Sequence, residues 1–160
     1  MPDSTVIRAH QHAAGAIGGQ ENQALGRSAG GFSTKIHAVV DALGYPVGIE
    51  LTAGQVHDIV PAEKLLKDQD SVYVIADKAY DSQELIDLIE SKGSIPVIPP
   101  RKNRKECREY DKHIYKERHL VEIFFNKIKH YRRVATRYEK LAITYLAMVY
   151  IACSMIWIGF

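Results

Sequence analysis

Cysteine is scarce in this chain, with two residues, Cys107 and Cys153, among 160. Neither sits in a CxxC pair, which excludes a disulfide framework and the commonest zinc and redox motifs and fits a reducing, cytoplasmic setting. The first residues, Met1-Pro2-Asp3-Ser4-Thr5, lack the basic start and apolar run of a secretory signal, so export is not expected. Internal repeats are missing, which excludes solenoids and propellers. Net charge is small as well: 21 Lys and Arg stand against 19 Asp and Glu, a formal +2. That balance hides a segregation. Residues 101–140 hold 14 basic and 6 acidic side chains, a local +8, and the rest of the chain carries a net −6. Such asymmetry points to a polyanionic partner such as nucleic acid.

A length of 160 residues with 46% hydrophobic and 25% charged side chains is that of one ordinary globular domain, expected to span 1–160. Charge is absent altogether from residues 141–160, LAITYLAMVYIACSMIWIGF, long enough by count to be a membrane-span candidate. Thr144, Tyr145, Tyr150 and Ser154 dilute its hydrophobicity, and the expectation is an apolar C-terminal helix in the core, with no membrane partner.

Apolar periodicity organises the rest. DSTVIRAH at 3–10 reads as a strand, and the glycine-rich stretch 13–31 as a flexible loop. Apolar runs on either side of Gly44-Tyr45-Pro46 predict an antiparallel hairpin. Residues 57–67 have helical spacing, and Ser71–Ala76 is a short apolar run of the kind found in buried central strands. A helix opens at Ser82 and stops at Gly93, a strand covers 94–98, and Pro99-Pro100 leads into a basic, polar connection from Arg101 to Lys112. Two helices, 115–133 and 141–158, complete the order. A hairpin followed by crossovers that add parallel strands gives an α/β mixed sheet with flanking helices.

Three carboxylates stand out. Asp77 follows the strand VYVIA, the place where open α/β sheets build sites, although Asp after a strand is also a common turn or cap residue. Asp3 opens the first strand and is expected beside a later crossover strand. On a wheel of about 100° per residue, Tyr115, Arg118, Glu122 and Lys129 share a sector of roughly 60°, opposite Leu120, Phe124, Ile128 and Tyr131. Glu122 is either one half of an i, i+4 ion pair with Arg118 or a carboxylate held for chemistry. Two aspartates and one glutamate would offer only hard oxygen donors, which select magnesium or manganese over zinc. His10 and His12 lack a third soft ligand and read as structural, and His57-Asp58 reads as a helix-start cap.

The strings DSTVIRAHQHAAGA, GRSAGGFSTKIHAVVDALGYPVGIELTAGQVHD, IADKAYDS and YKERHLVEIFFNKIKHYRRVATRYEK resemble the catalytic part of bacterial insertion-sequence transposases of the DDE class, insertion-sequence family five. The most specific element is Tyr, two residues, Arg, three residues, Glu, six residues, Lys, met by Tyr115, Arg118, Glu122 and Lys129. Asp77 with Ala79-Tyr80 after it, and Asp3 in Asp-Ser-Thr, complete the likeness. The resemblance implies a ribonuclease H-like fold in which Asp3, Asp77 and Glu122 are catalytic and hold two Mg2+ or Mn2+ ions. It implies double-stranded DNA, both element ends and target, as partner, cut by phosphodiester hydrolysis and joined by strand transfer. Lys35, Tyr115, Arg118, Lys129, Arg132 and Arg133 are the expected nucleic-acid contacts. Arg101, Lys102, Arg104, Lys105 and Arg137 read as a solvated basic face. Family members carry a further N-terminal region, so the sequence resembles the C-terminal catalytic part. Self-association or association with an upstream-frame product is expected. The alternative is a catalytically incomplete fragment that binds DNA and regulates a full-length transposase.

Overall fold

The computed structural model describes residues 1–17, 19–104 and 108–159. Lys105 and Cys107 lie outside them.

The sheet grows from one buried strand. Strand β3 (Gly31–Val40) is closed to solvent from Ile36 to Val40, so it lacks the alternation of a half-exposed strand and is covered on both faces. Strand β1 (Pro2–Ala9) pairs antiparallel along one edge, with Asp3 opposite Ala38 and Ser4 opposite His37. Strand β4 (Pro46–Ala53) forms the expected hairpin along the other, with an irregularity between Val39 and Val40. Asp41 closes the turn by accepting from Leu43 and Tyr45 N–H groups, and Gly44 takes the positive φ of +83° that favours glycine.

Alternating side chains at the end of β3 face two cores, one of them shared with Ile7 of β1. One joins Ile7, Ile36, Ala38 and Val40 to helix α3 (His119–Lys129) through Val121, Phe124, Phe125 and Ile128, and to helix α5 (Ala142–Trp157) through Tyr145, Val149 and Ala152. The other joins Val39 to helix α1 (Ile59–Lys67), strand β5 (Tyr73–Ile75) and helix α2 (Gln83–Ser91). Ser82 caps α2 as its sequence predicts, accepting from Leu85 N–H at 3.2 Å.

Four sequence expectations need correction. The crossover strands β5 and β6 (Ile95–Val97) pair in parallel with each other and form a separate two-stranded sheet. Val74 and Ala76 hold them to the main body by apolar packing with Val39, not by a ladder to β1. The parallel neighbour of β1 is instead the two-residue strand β7 (Thr136–Arg137), so Asp3 and Asp77 do not lie on hydrogen-bonded strands. The stretch 13–31 is not one loop: strand β2 (Gly26–Ser28) pairs with β3, and Gln23 Oε1 accepts from Ala142 N–H at 2.8 Å, tying the segment to the start of α5. The expected helix 115–133 is three pieces, a 3-10 turn at Ile114–Arg118, then α3, then helix α4 (Arg132–Ala135). Asp111 starts the turn by accepting from His113 and Ile114 N–H groups, and extended backbone at Tyr131 redirects the chain so that Val134 reaches the core.

Helix α5 is shorter than its charge-free run, and among the described residues no helix is long and apolar enough to cross a membrane. Tyr145 donates to Val134 O at 2.7 Å and Trp157 Nε1 to Pro46 O at 3.0 Å, which anchor its two ends.

Candidate functional site

Arg118 is the hub of the site. It ends the 3-10 turn and stands one turn before Glu122 in α3, so its guanidinium reaches that carboxylate along the helix and β1 across the core. Its Nη1 bonds Glu122 Oε1, and its Nη2 donates to Asp3 Oδ2 at 3.1 Å, over a sequence separation of 115. Arg118 Nε is buried with no partner. Asp3 is half-buried, and its other oxygen accepts from Ser4 N–H at 2.8 Å. Glu122 is more open, its side chain 57% exposed, so its link to Arg118 is the i, i+4 pair of the plainer sequence reading. Val121 and Phe125, which flank the polar stripe on the wheel, belong to the core.

Asp77 opens the turn Lys78–Tyr80 and accepts from Ala79 N–H at 2.7 Å, the cap role open to an Asp after a strand. It is also an electrostatic neighbour of Asp3. Burial raises the Asp3 carboxyl above the ordinary Asp range, and the charges of Asp77 and Asp58 add to this, opposed by the Ser4 hydrogen bond and by Arg118. Tyr115 lies in the same field: its hydroxyl is pushed up by burial and by Asp77 and Asp3, and its ring meets Tyr110 edge-on at 5.4 Å. The Tyr80 hydroxyl is raised too, by burial first and then by Asp3, Asp58 and Asp77.

Asp58 is the member that the sequence reading placed elsewhere. It occupies the N-cap position of α1 without capping it. Instead Asp58 Oδ1 accepts from Ser4 Oγ at 2.7 Å and from Lys35 Nζ at 2.8 Å. Burial alone would raise this carboxyl, but the hydrogen bonds of Lys35 and Ser4 and the charge of Lys35 hold it below the usual range. Lys35 gives a further bond to Val56 O at 2.6 Å, and its side chain is only 14% exposed. It is therefore bound within the fold. No local pattern signals this, because the partners are 23 positions apart.

The remaining expected contacts divide. Lys129 and Arg132 are exposed, at the end of α3 and the start of α4. Arg133 also points outward but pairs with Glu139 through Nε and Nη2. Arg137, expected on a solvated face, is fully buried: it donates to Thr34 Oγ1 and to the carbonyls of Ala24, Glu139 and Lys140 and lies over the Tyr145 ring. The imidazole of His10 packs against His12 and Tyr138, in keeping with a structural role.

Whether these residues suit a metal depends on donor chemistry. Asp3, Asp77 and Glu122 offer carboxylate oxygen alone, the donor type of hard divalent cations. The donor set fits magnesium or manganese. Among the described residues, however, no three His, Cys, Asp or Glu side chains stand together as a formed cage, and Arg118 supplies the positive charge between Asp3 and Glu122.

The geometry defines an α/β protein with a mixed sheet in which two acidic side chains, Asp3 and Glu122, meet on one arginine. Comparison with known proteins gives the family. The chain belongs to the Transposase DDE domain family, which matches residues 2–157. It is 43% identical over 132 residues to a Brucella ovis protein assigned as a transposase for insertion sequence element IS6501, a match covering 79% of this chain and 99% of that protein. It is 29% identical over 135 residues to a Burkholderia cepacia protein assigned as a transposase for insertion sequence element IS402, covering 77% of this chain and 62% of that protein. No solved structure matches.

Proposed function

We propose that the chain, a transposase by family, cuts and joins DNA at the ends of an insertion-sequence element of family five, on a ribonuclease H-like fold, with Asp3, Asp77 and Glu122 as its catalytic carboxylates. The observation that carries this reading is the meeting of Asp3 and Glu122 on one guanidinium, with Asp77 close enough to raise the Asp3 carboxyl. A pair of divalent ions, when bound, supplies activation of the attacking water or 3′-hydroxyl and charge to offset the leaving oxygen. The protein's own part is electrostatic and positional. Asp3, Asp77 and Glu122 hold the donor oxygens, each from a different element, so that the turn at Asp77 and the first turn of α3 set their spacing. Arg118 orients Asp3 and Glu122 from between them. Lys129, on the Glu122 face of α3, and Arg132 take phosphates beside the cut, and Tyr115 borders the strand.

The test is cleavage. Purified protein with Mn2+ and a labelled duplex carrying an end of the encoding element is expected to nick that duplex. Asp77→Asn, which keeps the cap acceptor but removes the charge, is expected to abolish nicking without loss of folding. Equal cleavage by Asp77→Asn protein refutes the assignment.

A further inference from the structure

Among the described residues of the basic connection after Pro99-Pro100, the arginines are held within the fold. They are docked at Asp81, whose side chain is 2% exposed and which lies four residues after Asp77. Asp81 Oδ2 accepts from Arg101 N–H and from Arg104 Nε, each at 2.8 Å, and Arg108 Nη2 stands 3.8 Å from Oδ1. Arg101 then clamps the Asp77 turn itself: its Nε donates to Lys78 O at 3.1 Å and its Nη2 to Ala79 O at 2.7 Å. Ala79 is the residue whose N–H is bound by Asp77, so a single hydrogen-bonded path runs from Asp81 through Arg101 to the Asp77 carboxylate.

This docking frames an open cleft of about 400 Å³ lined by Asp77, Lys78, Ala79, Arg101 and Lys102. Three of the five lining residues are cationic, and Lys78 and Lys102 are exposed and form no ion pair among the described residues. We infer that the cleft is a phosphate seat for the DNA strand beside Asp77, and that Asp81 is the positioning residue that sets the basic segment against it. A buried carboxylate must be paired. Here its partners are the segment's arginines, and holding them in place before DNA arrives removes the ordering cost that a loose basic loop would meet on binding. Lys102 and Lys78 act as point charges on a backbone phosphate, and Arg101 fixes the wall that carries them.

The inference rests on the transposase reading, and its sign separates it from simple electrostatics. Removing an acid near a DNA surface raises affinity if only charge matters. Displacing a positioning residue lowers it. Binding of a labelled duplex is measured over a salt series, without divalent ions, for wild-type protein and for Asp81→Asn, Asp81→Glu and Lys102→Gln variants, with circular dichroism as the control for folding. Asp81→Asn is expected to weaken binding about tenfold, and Asp81→Glu, which keeps the charge, to restore part of it. Lys102→Gln, an exposed substitution safe for the fold, is expected to reduce the slope of log affinity against log salt by about 0.9, one phosphate contact. Tighter or unchanged binding in folded Asp81→Asn protein, or an unchanged slope in Lys102→Gln protein, overturns the inference while leaving the transposase reading intact. Wild-type protein that neither binds duplex DNA nor cleaves it with Mn2+ overturns both.

Discussion

Lys35 decides between two roles that exclude each other. As a DNA contact it would point into solvent, yet its ammonium bonds Asp58 at 2.8 Å and Val56 O at 2.6 Å. Lys35→Met keeps the length and apolar stem of the side chain but strips the charge. Asp58 is then left with the Ser4 hydroxyl alone, and the Val56 carbonyl loses its ammonium donor. Hydrogen bonds to charged groups are worth about 1.5–3 kcal/mol, and breaking a fully buried pair costs about 3–5 kcal/mol. Because the Asp58 side chain is 26% exposed, water replaces part of what is lost, and the expected cost is about 2 kcal/mol. In a domain of this size 1 kcal/mol moves the melting temperature by about 2–4 °C, so a fall of about 4–8 °C is expected. Urea denaturation of the wild type, Lys35→Met, Asp58→Asn and the double variant measures the pair itself, and the double variant is expected to be less destabilised than the sum of the singles. If Lys35→Met leaves the urea midpoint unchanged but lowers the salt slope of DNA binding by about one phosphate contact, Lys35 faces DNA and the structural assignment is wrong.

Other perturbations follow from the same contacts. His37 is 1% exposed, burial lowers its pKa from 6.5 to about 4, and its Nδ1 has no partner, so the fold holds it neutral. Stability is therefore full above pH 6.5 and falls as pH drops toward 4, by at most about 3 kcal/mol from this group; denaturation at pH 7 and pH 4.5 measures it, and a His37→Gln protein is expected to show a flatter dependence. Arg137→Lys replaces a fork that serves four acceptors with one ammonium and is expected to cost at least about 3 kcal/mol, read as loss of the cooperative thermal transition or a large fall in its midpoint. Gly54→Ala would set a Cβ 2.0 Å from Ser33 Oγ and 3.2 Å from Ser33 O, whereas Gly26→Ala meets only the flexible end of Gln55; thermal melts are expected to show the first as the more destabilising. Millimolar Mn2+ is expected to raise the melting temperature of the wild type and not of Asp3→Asn protein.

The parts of the fold that were legible in the sequence are those whose signal is local. The β3–β4 hairpin, the Ser82 cap and the apolar face of α3 follow from alternation, turn chemistry and periodicity within about ten residues. Asp3, Asp77 and Glu122 were singled out by spacing and resemblance, and the fold links Asp3 to Glu122 through Arg118. What stayed hidden is non-local. Asp58 looked like a cap because its true partners, Ser4 and Lys35, lie 54 and 23 positions away. Arg137 looked like surface charge because its hydroxyl partner, Thr34, is 103 positions back. Strand β7 is two residues long, too short for any period to show, and the 3-10 turn before α3 escaped a wheel that assumes one helix type throughout.

The basic block at 101–140 shows how such hidden pairings alter a charge argument. Counted in sequence, its 14 Lys and Arg are equivalent. In the fold they separate by residue type: Arg101, Arg104, Arg108, Arg118, Arg133 and Arg137 are all committed to carboxylates or carbonyls. Lys102, Lys112, Lys116, Lys127, Lys129 and Lys140 are exposed, and so is Arg132, while Arg101 and Arg133 are exposed but hydrogen-bonded within the fold. The division follows from the side chains, since a planar fork satisfies several fixed acceptors at once, while a hydrated ammonium on a flexible stem loses little by remaining in water. Four of the arginines are offset by Asp81, Asp3, Glu122 and Glu139, two of these acids coming from outside the block. The unpaired positive charge that the described part of the block shows to solvent is therefore mostly lysine, with Arg132, and most of its arginines hold the fold together instead.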